Sequence, residues 1–496
     1  MKDGRVNSRP DRGKRRQLGA FYTPPALVEL LVHEVLHPAM QGRSRPPRVI
    51  DPSCGDGRLL EAAAAVIGEH YGVDPLPYVV GAELDPEVAA ATAARLGCTV
   101  LAGDARNLLG TAEHHHAYDV VIGNPPYLSQ LAKSTARGGR SSLGGGPYAD
   151  VAAEFLALSL RLVRPADGRI GLVLPLSILS TRDVAPIRRD LDAHAAIDFC
   201  WWANERMFDA NVRTCVLGFV TGHHTTQVRR RVGATAQSVP PLPAPAAPAS
   251  TWSWLVSDTI GIPTPPAING AGLLGDIARA TADFRDQYYG LVGCVGDNVD
   301  GPPLITSGLI DAGVSLWGTA PTSFAKQRFA APRVDLQRLS STLQQWAQQR
   351  LVPKVLVASQ TRVIEAVVDL DGAWLPSVPV VSVVPGRRSD LWRVAAVLTS
   401  PVTSALLAHQ RAGSGLSSRA IRVTASDLHA LPLPSDGESW ERAASQLHAG
   451  DIDAGAVAMM HAYGCADRDD VLAWWRQNVA TSQRRSAASA SRGHSG

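Results

Sequence analysis

The sequence predicts an α/β protein: a mostly parallel sheet closed by an antiparallel pair of strands, followed by a second domain of α+β character. Three observations carry this expectation. Short apolar runs alternate with helical patterns from Arg48 to Val220, the rhythm of βαβ units. Those runs end at or just before Asp51, Glu83, Asp104 and Gly123, and open α/β sheets place their ligand sites at the carboxyl ends of strands. A proline-rich stretch, 236–250, then separates this region from one of different texture.

The chain has 496 residues, enough for two or three domains with cores of their own. Hydrophobic content of 45% and charged content of 19% describe a globular protein. No apolar run is long enough to span a bilayer and the N-terminus is basic rather than signal-like, so a cytoplasmic protein without a membrane partner is expected. The six cysteines are scattered and form no CxxC pair, which argues against a zinc ribbon or disulfide frame. Net charge is only +3, yet residues 1–16 hold seven Lys/Arg against two Asp. This basic arm, 1–17, suits either phosphate contact or a solubilising tail.

The first element is a helix with apolar positions Leu27, Leu30, Leu31 and Val35, for which Thr23 is a candidate N-cap with prolines in the first turn. Phe21 and Tyr22, just before it, read as aromatics at a helix start or as the wall of a pocket. Next, the strand Arg48 to Asp51 runs into Pro52-Ser53-Cys54-Gly55-Asp56-Gly57 and an Ala-rich helix from Glu61. Gly55 and Gly57 let backbone approach a ligand closely. The spacing is neither a phosphate P-loop nor GxGxxG, and it contains no lysine. A loop with Asp51 and no lysine suits a cationic ligand better than a polyphosphate.

A second strand, from Tyr78, ends at Glu83-Leu84, where an acidic residue can take both hydroxyls of a ribose. The helix Glu87–Leu96 and strand Thr99–Ala102 lead to Asp104-Ala105, whose carboxylate can accept from an adenine amine. Each carboxylate alone is an ordinary cap or solvated charge; three at successive strand ends are a stronger signal. His114, His115 and His116 lack carboxylate or cysteine partners at ligand spacing, so they are expected to be solvated and no metal is expected.

The fourth strand, Tyr118 to Gly123, runs into Asn124-Pro125-Pro126-Tyr127. Two prolines remove backbone donors and fix the path of the chain. An amide oxygen, a proline-fixed carbonyl and an aromatic face suit a flat planar amine, although the same tetrapeptide is also an ordinary turn. After it come a Gly/Ser/Arg-rich loop at 134–147, the helix Val151–Leu162 with Phe155, and a fifth strand Gly168–Pro175. A helix over Arg182–Asp192 and strands Ile197–Trp202 and Thr214–Val220 complete the sheet, with Met207-Phe208-Asp209 between the last two.

The second domain, 251–436, shows β-like runs at Lys354–Ala358, Val363–Leu370 and Val378–Val384 and a helix over Leu391–Gln410. A small helical segment, 437–480, carries Trp474 and Trp475, and a Ser/Ala/Arg tail, 481–496, is expected to be disordered. Residues 251–434 hold 15 Lys/Arg against 13 Asp/Glu, so any nucleic-acid face there must be local.

Taken in this order, the motifs resemble the gamma-class N6-adenine DNA methyltransferases of restriction–modification systems. The resemblance covers 19–222 well and the second half only in pattern, most clearly from Ile421-Arg422-Val423-Thr424 through Leu433-Pro434. It implies a Rossmann-like seven-stranded sheet in a catalytic domain over 18–235, a target-recognition domain over 251–436, S-adenosylmethionine as cofactor and double-stranded DNA as substrate. It assigns cofactor contacts to Phe21, Tyr22, Thr23, Asp51, Ser53, Cys54, Gly55, Gly57, Glu83, Leu84, Asp104, Ala105, Asn124, Pro126 and Phe155. It assigns catalysis to Asn124, Pro125, Tyr127 and Phe208. In that scheme Asn124 and the Pro125 carbonyl each accept one hydrogen of the adenine amine. The flipped base stacks between Tyr127 and Phe208, each ring contributing roughly 1–3 kcal/mol. Asp56 stands where the family more often has a small residue.

The resemblance further implies a monomer, with a cognate restriction endonuclease or defence-system subunits as further partners. About eighteen residues precede the first motif, too few for a nuclease domain at that end. Two alternatives stay open: an RNA or protein-glutamine methyltransferase with the same pocket, and a DNA-specificity subunit that no longer turns over.

Overall fold

In the computed structural model, which describes residues 23–127, 143–146, 149–203, 213–245, 249–268, 270–283, 285–413 and 420–479, the apolar runs become strands of one sheet. Residues 1–17, Phe21, Tyr22, most of 134–147, Phe208 and 481–496 lie outside the described residues. The chain divides into two compact units, Met1–Leu255 and Val256–Gly496.

In the first unit, β1 (Val49–Asp51), β2 (Val79–Glu83), β3 (Thr99–Ala102), β4 (Val120–Gly123) and β5 (Arg169–Pro175) are parallel. Between them run α1 (Pro25–Leu31), α2 (Arg58–Tyr71), α3 (Pro86–Leu96), the short α4 (Ala105–Leu108) and α5 (Val151–Leu162). Then α6 (Ala185–His194) leads to β6 (Ala195–Trp202) and β7 (Thr214–Thr221), the latter antiparallel to both β5 and β6. Every residue of β1, β4 and β7 is buried, as is all of β5 but Arg169. That is why these strands read as unbroken apolar runs rather than alternating ones.

The sheet has nine strands, not seven, in the order β3-β2-β1-β4-β5-β7-β6-β8-β9. The two extra strands are β8 (Gln227–Val232) and β9 (Gln237–Pro243). Residues 237–243, expected within a linker, are therefore an edge strand, with Pro240 and Pro241 at an irregularity of its ladder, places where proline removes no needed donor. Arginines pin this edge. Arg230, 4% exposed, donates to the Pro240 carbonyl at 2.8 Å and to the Leu255 carbonyl at 3.0 Å. Arg229 and Arg231 both pair with buried Glu34, which lies in the π-helical turn Val32–Leu36 that continues α1.

Two local expectations need correction. Thr23 is not the N-cap of α1: Pro24 holds that position and no side-chain oxygen caps the helix. Pro25 at the first turn has no N–H to satisfy, so the demand for a cap is smaller. The helix expected over Leu391–Gln410 is two helices, Leu391–Thr399 and Pro401–Arg411, bent by 53°. Pro401 cannot continue the first helix, and Ser400 caps the second by accepting from the Val402 N–H at 3.2 Å. No single described helix is long and apolar enough to cross a membrane.

The second unit contains a four-stranded sheet in the order Ala278–Ala282, Val381–Pro385, Lys354–Val357, Ala366–Asp369, antiparallel throughout. Lys354, fully buried, donates to Asp369 at 2.5 Å, and Asp369 also accepts from the Ala373 and Trp374 N–H groups. A buried charge pair of this kind is tolerable only because the remaining lone pairs are used. Trp475, on the helix at 469–479, is buried in a separate cluster with Val363 and Ala456.

Candidate active site

The carboxyl ends of β1, β2 and β4 lie side by side because those strands are neighbours in the sheet. Asp51 ends β1. It is 2% exposed and accepts from the Ser53 N–H at 2.9 Å. Burial, reinforced by nearby Glu83 and only partly offset by that hydrogen bond, pushes its carboxyl up to about 7. A Cβ at Gly123 would lie 3.1 Å from Asp51 Oδ1, so the end of β4 passes directly beside this carboxyl.

The glycine loop is held from two sides. Glu83, at the end of β2, accepts from the Gly55 N–H at 3.0 Å and from the Asp85 N–H at 3.0 Å. From α3, Thr92 Oγ1 donates to the Gly55 carbonyl at 2.8 Å and Arg95 donates to the Asp56 carbonyl at 2.5 Å. Cys54, buried, donates its N–H to the Ala82 carbonyl at 2.9 Å. Arg58, the first residue of α2, reaches back to the Thr23 carbonyl at 3.4 Å, which brings Thr23 to the loop. Gly55 and Gly57 have φ of +54° and +76°, so both require the left-handed region.

Leu84, next to Glu83, is 56% exposed, one of few large apolar side chains on the surface. Asp104 caps α4 and accepts from the Arg106 N–H at 3.0 Å. Its carboxylate also pairs with the Arg106 guanidinium at 2.7 Å, which holds it below the ordinary carboxylate range. Arg106 bridges onward to Glu154 of α5 at 2.5 Å, so the end of β3 is tied to the helix carrying buried Phe155. Ala105 is buried at the head of α4.

Asn124 is half-buried at the end of β4. The Tyr127 hydroxyl lies 2.8 Å from Asn124 Oδ1 and 3.1 Å from the Val173 carbonyl, and its single hydrogen is shared between these two acceptors. Tyr127 is 7% exposed, and burial pushes its hydroxyl well up, so it stays a donor. The sequence suggested a ring offered as an open face. In the structure Tyr127 is largely buried, and its polar end orients Asn124.

Asp150, the N-cap of α5, accepts from the Ala152 N–H at 2.9 Å, and burial pushes its carboxyl up to about 6. His114 is hydrogen-bonded to the Tyr118 hydroxyl at 2.8 Å and His116 to the Val163 carbonyl at 2.6 Å.

The structure thus gathers Thr23, Asp51, Ser53, Cys54, Gly55, Gly57, Glu83, Leu84, Asn124, Pro125 and Pro126 around the ends of three adjacent strands. Asp104, Ala105 and Phe155 form a linked group beside them, at β3 and α5. Sequence reasoning missed Thr92, Arg95 and Arg106. Arg106 could have been found from its place two residues after a capping Asp; Thr92 and Arg95 had no local signal, because their partner loop is 37 to 39 residues away.

Residues 11–232 match the family described as N-6 DNA Methylase. A release factor glutamine methyltransferase of Bordetella pertussis is 33% identical over 175 residues, 33% of this chain and 59% of its own. A type II methyltransferase, M.TthHB8I of Thermus thermophilus, is 30% identical over 192 residues, 36% of this chain and 40% of its own. The chain therefore spans less than two thirds of either relative. The type IIL restriction–modification enzyme MmeI, solved in complex with DNA, superimposes over 96% of this chain and 77% of its own with a TM-score of 0.57 at 12% identity, a likeness of fold.

Proposed function

Taking residues 11–232 as an N-6 DNA methylase domain, we propose that this chain transfers a methyl group from S-adenosylmethionine to N6 of an adenine in DNA, at a specific site, within a restriction–modification or defence system. The observation that carries the proposal is Asn124. Its amide oxygen is oriented by the buried Tyr127 hydroxyl at the end of β4, beside the carboxyl end of β1.

The residues present suit the cofactor. Gly55, at whose Cβ position nothing lies within 4 Å, leaves its loop open to a ligand. Exposed Leu84 offers an apolar contact for an adenine ring, and Glu83 retains lone pairs for ribose hydroxyls. Asp51 suits a positively charged end. Bound there, the cofactor supplies an electrophilic methyl group on a sulfonium.

The chain's own work falls on the acceptor amine. Its nitrogen is a poor nucleophile because the lone pair is delocalised into the ring. Asn124 Oδ1 and the Pro125 carbonyl each accept one amine hydrogen, which favours a pyramidal nitrogen and so stabilises the transition state more than the ground state. The Tyr127 hydroxyl keeps Asn124 from rotating away, and the two prolines keep the carbonyl in place.

Asn124→Ala tests the reading. We expect cofactor affinity to persist while tritium transfer to DNA falls by ~10²–10³-fold; turnover near wild type refutes it. The glutamine methyltransferase likeness favours a second reading, methylation of a protein glutamine, whose amide nitrogen is equally delocalised. Offering DNA and a glutamine-bearing protein in parallel with labelled cofactor separates the two. Single-molecule sequencing of methylated bases in a host expressing the chain gives the recognition site.

A further inference from the structure

The near-neutral charge of the second unit is unevenly placed along the chain. From Ala312 to Ile364 the sequence has seven Lys/Arg and a single acid, Asp335. Four of the seven are occupied or not wholly exposed. Arg350 pairs with Asp283 at 2.6 Å, Lys354 with Asp369 at 2.5 Å, Arg333 lies over the Trp317 ring at 4.8 Å, and Arg362 is half-buried. Lys326, Arg328 and Arg338 are exposed and make no ion pair among the described residues.

These three cations sit on a rigid platform. Lys326 and Arg328 belong to the hairpin Thr322–Phe324/Gln327–Phe329. Its inner face is anchored: Phe324 is buried and packs on Tyr288 at 4.9 Å between ring centroids, and Ala325 and Phe329 join the same core cluster. Ser323 pairs across from Arg328, and both are exposed, so the outer face of the hairpin is polar and cationic. Ala325 and Lys326 form the turn with φ of +49° and +66°. Asn-Gly would adopt that conformation more readily, so a lysine is held at the tip against backbone preference. Arg338 joins the same platform, because its carbonyl is 3.7 Å from Cys294 Sγ, in the segment leaving the helix Arg285–Leu291. That helix presents Tyr289, 66% exposed, and is followed by Val292, 48% exposed. Asp297 is turned onto the Ala330 and Ala331 N–H groups at 3.0 and 2.8 Å, and together with exposed Asp286 and Asp300 it confines the cationic face to the hairpin and Arg338.

We propose that this hairpin, with Arg338 and Tyr289, is a surface through which the second unit grips the phosphate backbone of duplex DNA. The inference rests on the DNA-methylation reading and adds to it the element that makes the contact. Exposed cations on a stiff support suit a polyanion, since binding releases condensed counterions and costs little side-chain reorganisation.

The test compares wild type with the full-length double variant Lys326→Asn/Arg328→Gln, which removes both charges and leaves an αL-tolerant residue in the turn. Duplex DNA binding is followed by fluorescence anisotropy over a salt series. With two phosphates no longer neutralised, the slope of log K against log salt flattens by about 1.8, and affinity drops by a factor on the order of 60 at roughly 0.1 M salt. Cofactor affinity and melting temperature stay at wild-type values. An unchanged slope overturns the proposal, as does wild-type protein that prefers single-stranded RNA or does not bind duplex DNA. If wild type methylates DNA and the variant keeps its slope, the hairpin assignment falls and the methyl-transfer reading stands. If binding depends on the hairpin but no methyl group is transferred to DNA, the reverse holds.

Discussion

Substituting alanine at the two loop glycines separates a packing requirement from an open approach. At Gly57 a Cβ would lie 2.6 Å from Leu96 Cδ1 and 2.7 Å from Thr92 Cγ2, with φ at +76°. At Gly55 φ is +54° but nothing lies within 4 Å. Both substitutions incur the left-handed penalty of about 1–2 kcal/mol. Only Gly57→Ala adds the cost of overpacking, about 1–3 kcal/mol, because α3 must shift or Thr92 must leave the Gly55 carbonyl. The expected destabilisation is therefore about 2–5 kcal/mol for Gly57→Ala and about 1–2 kcal/mol for Gly55→Ala. Cofactor affinity should behave in the opposite sense per unit of stability: Gly55→Ala places a methyl where the ligand approaches and weakens binding out of proportion to its effect on folding. Chemical denaturation followed by near-UV circular dichroism gives the first quantity and isothermal titration with S-adenosylmethionine the second. Equal destabilisation by the two substitutions would show that α3 does not clamp the loop and would refute the reasoning.

Two further outcomes are expected. Tyr127→Phe removes a donor shared between Asn124 Oδ1 and the Val173 carbonyl; stability should fall by about 1 kcal/mol, and kcat should fall while cofactor Kd does not move, so a purely cofactor-side effect would contradict the role given to Tyr127. Asp51 has a folded-state value of about 7 against an ordinary 3.8. The native state then holds its proton longer than the unfolded chain, so the carboxyl costs nothing below pH ~4 and destabilises progressively up to pH ~7, by about 4 kcal/mol in all. Asp51→Asn should flatten that part of the stability profile. A cation bound beside the carboxyl should draw its proton off, making cofactor affinity rise with pH through ~7 and releasing a proton that titrations in buffers of differing ionisation enthalpy detect; no proton release at pH ~6 in wild type sinks this assignment.

The legible part of this protein is the part written in contiguous residues. Buried parallel strands announce themselves as short apolar runs, and residues that end them fall at one edge of the sheet by topology, so Asp51, Glu83 and Asn124 could be grouped from the sequence. Less legible was whatever depended on edges and on charge. The strands Gln227–Val232 and Gln237–Pro243 escaped notice because the first is polar and arginine-rich and the prolines of the second resemble a linker; the antiparallel ladder between them makes them strands. The break at Pro401 was written in the sequence but outweighed by an apolar pattern continuing on both sides.

Order along the chain alone determined the fold class, the glycine loop, the carboxylates at strand ends and the stiff diproline bend, because each is set by backbone sterics or by a run of neighbours. Contact across distance decided the rest. Tyr127 became largely buried and holds Asn124, since a hydroxyl at that depth needs acceptors and found them on β4's end and on β5. Thr92, Arg95 and Arg106 became supports of the site, and the cations of the second unit sorted into buried pairs and an exposed patch. Such assignments depend on which side chains meet once apolar surface is buried, and no pattern local to a residue encodes its partner.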